Sequence, residues 1–164
     1  IALAFGQVRV SLFAMKLYSI LALLLALALS VASAKEKPQE VVITGNDTMQ
    51  FDVKNFEVKA GAKVKLTLKN VGKIPKIAMG HNLVVLKKGI TAVAFGQKAL
   101  GAGASATNAL PESLMGDVIA ATKLLGPAES ETIEFTAPKE AGSYEYVCTF
   151  PGHFALMRGT MMVK

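Results

Sequence analysis

The chain has no tryptophan, a single cysteine and only two histidines, and its aromatic content is a low 7%. One cysteine excludes an internal disulfide, and with it a disulfide-stapled scaffold. A core must therefore be built from aliphatic side chains, and 164 residues are enough to bury one. Lysine and arginine do not cluster among aromatics, which leaves no nucleic-acid footprint. No uninterrupted apolar run reaches the roughly 20 residues that a helical membrane span needs.

The longest apolar run follows Met15-Lys16 and reads LYSILALLLALALSVASA. A basic start, an apolar middle and an Ala32-Ser33-Ala34 exit are the marks of a secretory signal, with cleavage expected after Ala34. Residues 1–14 read as an upstream mis-called start, with Met15 as the true first residue. No cysteine lies near residue 34, so no lipid anchor is expected there. The mature chain is then 35–164. Setting aside Arg9 and Lys16, it carries sixteen basic and twelve acidic residues, a mild net charge of +4. That balance concerns solubility and encounter rather than fold. A lone thiol in an oxidising compartment is a liability unless something occupies it.

Beyond a short charged linker the pattern is one of short strands. Lys63–Lys69 alternates polar and apolar without a break, as a strand with one wet face does. Residues 131–136 alternate again. Ser143–Thr149 sets Tyr144, Tyr146 and Cys148 on one face and Glu145 and Val147 on the other. Further strands are expected at 41–44, 49–53, 56–58, 81–86 and 159–163, with a loop over 70–75. Ala92, Phe95 and Ala99 are spaced for a helix over 91–101, stopped by Gly101-Ala102-Gly103. Residues 104–117 read as a mobile flap. The whole predicts an all-β, Greek-key β-sandwich with one inserted helix and flap near residues 90–117.

The scarce residues gather in two places. Cys148, His153 and Met157 share one strand-to-strand loop, folded by Phe150-Pro151-Gly152, and His81 opens a strand elsewhere. Taken singly, each has a plainer explanation: a small buried cysteine, core-filling methionine, a turn histidine. Taken together they are a thiolate, two imidazoles and a thioether, the donor set of a blue-copper centre. Zinc would accept the same cysteine and histidines but prefers a fourth strong donor. A Cys148–His153 nucleophile–base pair is a third reading, without an evident oxyanion hole.

The stretch Cys148-Thr149-Phe150-Pro151-Gly152-His153-Phe154-Ala155-Leu156-Met157 closely resembles the ligand loop of azurins, and Met79-Gly80-His81-Asn82 their first-histidine segment. Plastocyanins use a shorter gap between cysteine and histidine. The resemblance covers nearly all of 35–164 and implies an azurin-like cupredoxin binding one copper. It implies His81, Cys148 and His153 as equatorial ligands, Met157 as a long axial ligand, and the Gly80 carbonyl on the opposite side. It implies further that the Asn82 and Phe150 N–H groups donate to the Cys148 sulfur, and that the Asn82 side chain ties its loop to Thr149. Leu83 stands where azurins bury a tryptophan. The azurin disulfide and the non-ligand histidines have no counterpart here, so the pH switching tied to one of those histidines is not expected.

The function implied is a periplasmic or secreted electron carrier, not an enzyme. It would cycle one copper between Cu(II) and Cu(I). Its partners would be redox proteins, such as a cytochrome c or a copper or haem reductase, met transiently by a monomer through a patch of Ile74, Met79, Pro151 and Phe154. No nucleic acid and no stable membrane insertion are expected. The alternative is a copper-binding or delivery protein without a redox partner.

Overall fold

The computed structural model describes residues 37–164; the leader read at 1–34 lies outside the described residues. Within them, the clean alternation of the sequence becomes strand β4 (Lys63–Asn70), whose Val64, Leu66, Leu68 and Asn70 point inward. Each buried leucine contributes about 1.5–3 kcal/mol of transfer free energy. β7 (Ser130–Thr136) runs antiparallel to β4 and sets Phe135 opposite Val64 and Ile133 opposite Leu66. On the other side β1 (Gln39–Asn46) pairs in parallel, with Val41 opposite Leu66 and Ile43 opposite Leu68. The two-residue β2 (Gln50–Phe51) completes a sheet ordered β2-β1-β4-β7.

The second sheet is ordered β3-β9-β8-β5-β6. Its members are β3 (Asn55–Val58), β5 (Val84–Leu86), β6 (Val118–Ala121), β8 (Gly142–Val147) and β9 (Arg158–Val163). Its inner face lays Tyr144, Tyr146, Met161 and Val163 against Ile43, Phe51, Leu66 and Leu68 of the first sheet. The result is the two-sheet sandwich expected from the strand pattern.

The outer face of the second sheet is covered over its central part. Val147 of β8 joins Val84 and Leu86 in a second apolar cluster under helix α2 (Ala92–Gly101), which contributes Ala92, Phe95 and Ala99. (Helix α1, Lys76–Met79, precedes it as a single turn opened by Pro75.) The central strand β5 and the Val147 end of β8 are therefore buried on both faces. The Glu145 carboxylate, on that same outer face, accepts the Ala92 N–H at 2.7 Å, satisfying a first-turn donor that the helix cannot satisfy itself. Thr91 caps the same end.

Three local expectations are corrected. The strand expected from residue 81 begins at Val84, and His81 instead makes an isolated bridge with Leu125 beyond the sheet. The strand expected over 49–53 shrinks to Gln50–Phe51. The segment read as a flap is packed down. Ala109 and Leu114 are buried, Glu112–Asp117 forms a 3-10 helix, and Asp117 pairs with Lys98 of α2 at 2.7 Å.

Candidate metal centre

Strand β8 ends at Val147, and the next residue, Cys148, already belongs to the loop that returns as β9. That loop is pinned at its base: the Cys148 N–H donates to the Met157 carbonyl at 2.9 Å. Inside it, the His153 N–H reaches the Phe150 carbonyl and the Met157 N–H reaches the His153 carbonyl. Gly152, at φ +84°, makes the left-handed turn that other residues resist. His153 then opens a short 3-10 turn, His153–Ala155. The backbone thus holds Cys148, His153 and Met157 on a closed ten-residue circuit.

His81 arrives from the other side of the chain. Its N–H and carbonyl both bond Leu125, which fixes it three residues ahead of β5. The ligand-capable atoms of His81, Cys148 and His153 all lie within 4.8 Å of one another. Cys148 Sγ stands 3.6 Å from His153 Nδ1. The two imidazole rings lie 5.1 Å apart between centroids, and the Phe150 ring lies 4.5 Å from that of His153. His81, Cys148 and Met157 are fully buried; His153 keeps 3% of its surface.

Burial dominates the electrostatics of the three side chains. Burial pushes the Cys148 thiol up to about 12, although the backbone N–H groups of Asn82 and Phe150 donate to the sulfur and act in the other direction. Burial, and then the neighbouring His81, lowers His153 to about 4. Burial also lowers His81, against the Asn46 backbone carbonyl and Asp47, which favour the charged ring. Both histidines are thus neutral and able to act as donors at ordinary pH.

The residues fit a bound metal on their own evidence. Neither ring nitrogen of buried His81 makes a well-formed hydrogen bond. The Asn46 backbone carbonyl is near enough to act on the ring but can serve only one nitrogen, so the other is left buried at a cost unless something else satisfies it. Among the described residues no carboxylate, further histidine or further cysteine joins the trio, so a structural zinc site lacks its fourth strong donor. The neighbouring contacts follow the same plan. Asn82 Nδ2 donates to Thr149 Oγ1, and the Thr149 N–H donates to Asn82 Oδ1, each at 2.8 Å. Gly80 sits where a Cβ would lie 2.8 Å from the Lys76 carbonyl and 2.9 Å from Leu124, so closeness, not conformation, demands glycine.

Comparison with known proteins decides the family. Residues 38–164 match the model of the copper-binding proteins of the plastocyanin/azurin family. The chain belongs to the plastocyanin/azurin family. Azurin-2 of Alcaligenes xylosoxydans xylosoxydans is 42% identical over 127 residues, 74% of this chain and 95% of the relative. The azurin of Alcaligenes faecalis is 40% identical over 133 residues, 74% of this chain and 95% of the relative. Among solved structures, the dithionite-reduced auracyanin of Roseiflexus castenholzii superposes with a TM-score of 0.67 at 36% identity. It covers 77% of this chain and 97% of its own. For a family member, the trio His81, Cys148 and His153 could form a single copper site.

The expected docking residues differ in exposure. Ile74 is exposed; Met79, Pro151 and Phe154 are half-buried; Phe150 is buried. The Phe154 ring is turned onto Gly96 of α2, where any Cβ would collide with it. Ile77 and Leu156, at 62% and 56% exposure, are surface residues that the sequence reading passed over. It also passed over Gly45 and Asn46 of β1, which lie beside His81. A glycine following four residues with strand character was the available signal, because such a glycine marks a close approach.

Proposed function

We propose that this chain is an exported type 1 blue copper electron carrier, with His81, Cys148 and His153 as equatorial ligands, Met157 as the weak axial ligand and the Gly80 carbonyl opposite it. The observation that carries the reading is the convergence of one thiol and two neutral imidazoles within 4.8 Å in a buried place. Copper, when bound, supplies the one-electron couple. The chain supplies everything else.

Its first contribution is rigidity. Cys148 and Met157 are joined through the backbone at the base of the loop, and His81 is bonded twice to Leu125. Donors held this way serve two oxidation states with little rearrangement. Its second contribution is electronic. The Asn82 and Phe150 N–H groups withdraw charge from the sulfur, and a dry pocket disfavours net charge, so both favour the reduced state. Its third contribution is a way out: His153 is the least enclosed of the ligand residues, with half-buried Pro151 two positions before it.

The chain would be synthesised with a leader at 1–34 and work as a monomeric domain, 35–164, in the periplasm or outside the cell. It would meet a cytochrome c or a copper or haem reductase transiently, through an interface below about 1,200 Å². Catalysis is not part of the reading, because a fully buried thiol pushed towards protonation is a poor nucleophile. A delivery role would require an open, exchangeable site, which full burial of His81 and Cys148 opposes.

The test is to add Cu(II) to the mature protein, record the visible spectrum and cycle it by voltammetry. An intense thiolate-to-copper charge-transfer band with reversible one-electron cycling is expected. Colourless binding, or binding without a reversible couple, would overturn the carrier reading.

A further inference from the structure

Gly45 belongs to β1, in the sheet opposite the one that delivers Cys148 and Met157. It is paired with Asn70 of β4 and Phe51 of β2, and its carbonyl accepts the Val71 N–H. Among the described residues the glycines with positive φ are 61, 89, 103, 142 and 152, so Gly45 is not there for its φ. Within a strand, glycine is less stable than alanine by about 0.5–1 kcal/mol. A residue with that cost and no conformational purpose needs another explanation.

The space around it provides one. A Cβ on Gly45 would lie 2.6 Å from Met157 Cε and 3.2 Å from His81 Cδ2. The missing side chain is the room into which the Met157 methyl folds, and its edge touches the imidazole. Met157 Cε is the free end of a flexible side chain, whereas Gly45 is locked on both sides by strand pairing. An added methyl would therefore move the thioether before it moved the strand, and the His81 ring would give by a few tenths of an ångström at most.

We propose that Gly45 is a positioning residue that sets where the Met157 thioether and the His81 ring sit. Its consequence for the metal rests on the copper reading above. The sulfur is bonded directly to Cε, so displacing the methyl turns the sulfur lone pairs. A weak axial ligand is sensitive to such a turn, and the axial ligand tunes the redox potential of a blue-copper site.

The experiment compares wild type, Gly45→Ala, Met157→Ala and the double variant. Metal-free protein labelled at the methionine methyl carbons comes first. In Gly45→Ala the Met157 methyl resonance should move while the methyls distant from the site hold; an unmoved resonance in folded protein overturns the proposal. Copper-loaded proteins come next. Gly45→Ala should shift the charge-transfer band and the midpoint potential. Adding the same change to Met157→Ala should produce less than half of that shift, because the group displaced is gone. Equal shifts in both backgrounds would mean that Gly45 acts elsewhere, and would overturn it. Wild type that takes up Cu(II) without the band, alongside a moved methyl, would uphold the steric assignment and sink the copper reading instead.

Discussion

Asn82 and Thr149 hold each other twice, side chain to hydroxyl and carbonyl oxygen to backbone N–H, with both residues buried. They lie 67 positions apart in sequence, yet each is the immediate neighbour of a proposed ligand, His81 and Cys148. The pair therefore clamps the two halves of the centre together. Asn82→Ala leaves the Thr149 donor buried and unpaired, and is expected to lower stability by about 1–3 kcal/mol. It should also shift the midpoint potential, because the clamp positions N–H groups aimed at the sulfur. Denaturant unfolding and voltammetry on the same sample check both; an unchanged potential would confine Asn82 to stability.

Removing the metal should leave the sandwich standing. The ligand residues are already positioned by backbone hydrogen bonds, so chelated protein is expected to keep its β-sheet circular dichroism. It should lose stability by roughly 4 kcal/mol where copper is present at 1,000 times its Kd. Cys148→Ala should remove the charge-transfer band entirely while retaining the fold. A metal-free protein that unfolds outright would contradict the preformed site.

Partner encounter is best probed where it disturbs least. Ile74 is exposed at 37% and part of the expected docking face. Ile74→Glu should slow electron transfer from a cytochrome c by about tenfold, the equivalent of about 1.4 kcal/mol, with the visible spectrum intact. Stopped-flow kinetics at two salt concentrations would show it, and unaltered rates would remove Ile74 from the patch.

Tyr146 gives the protein an alkaline limit. Burial raises its phenol well above the usual tyrosine range, with Asp52 adding to the effect, and its hydroxyl donates to the Val53 carbonyl. A folded-state pKa above the unfolded one means that the folded chain keeps a proton the unfolded chain releases. Stability is full below about pH 10 and declines above it. Tyr146→Phe should lose about 1 kcal/mol at neutral pH and show a shallower decline between pH 10 and 11.5. A slope equal to wild type would acquit Tyr146.

Much of this was legible in the chain because the signals were local. The alternation of Lys63–Lys69 names its own buried face, and the spacing of Cys148, His153 and Met157 fits one loop. Helix α2 was legible from Ala92, Phe95 and Ala99, which do point at the core. What it covers was not, since Val147 reads as an outward residue until a helix from a distant segment lands on it. The partner of Gly45 was illegible for the same reason. Nothing near the glycine in sequence names Met157, more than a hundred positions later, as the group that needs its empty space. Helix α1 is a single turn, too short for any periodicity to show.

β1 lies parallel to β4, and β3 lies parallel to the final strand, β9. Neither pairing can be made by a simple hairpin; β1 waits only for β4, but β3 waits for a strand about a hundred residues later. Cys148, His153 and Met157 all fall just ahead of or within the last hairpin turn, and β9 is the element that fastens it. A growing polypeptide would thus possess His81 and most of the first sheet long before it could grip an ion. Capture of a metal by these residues would therefore wait until β9 has been made and paired with β8, and deleting Arg158–Val163 should weaken it even though every donor remains.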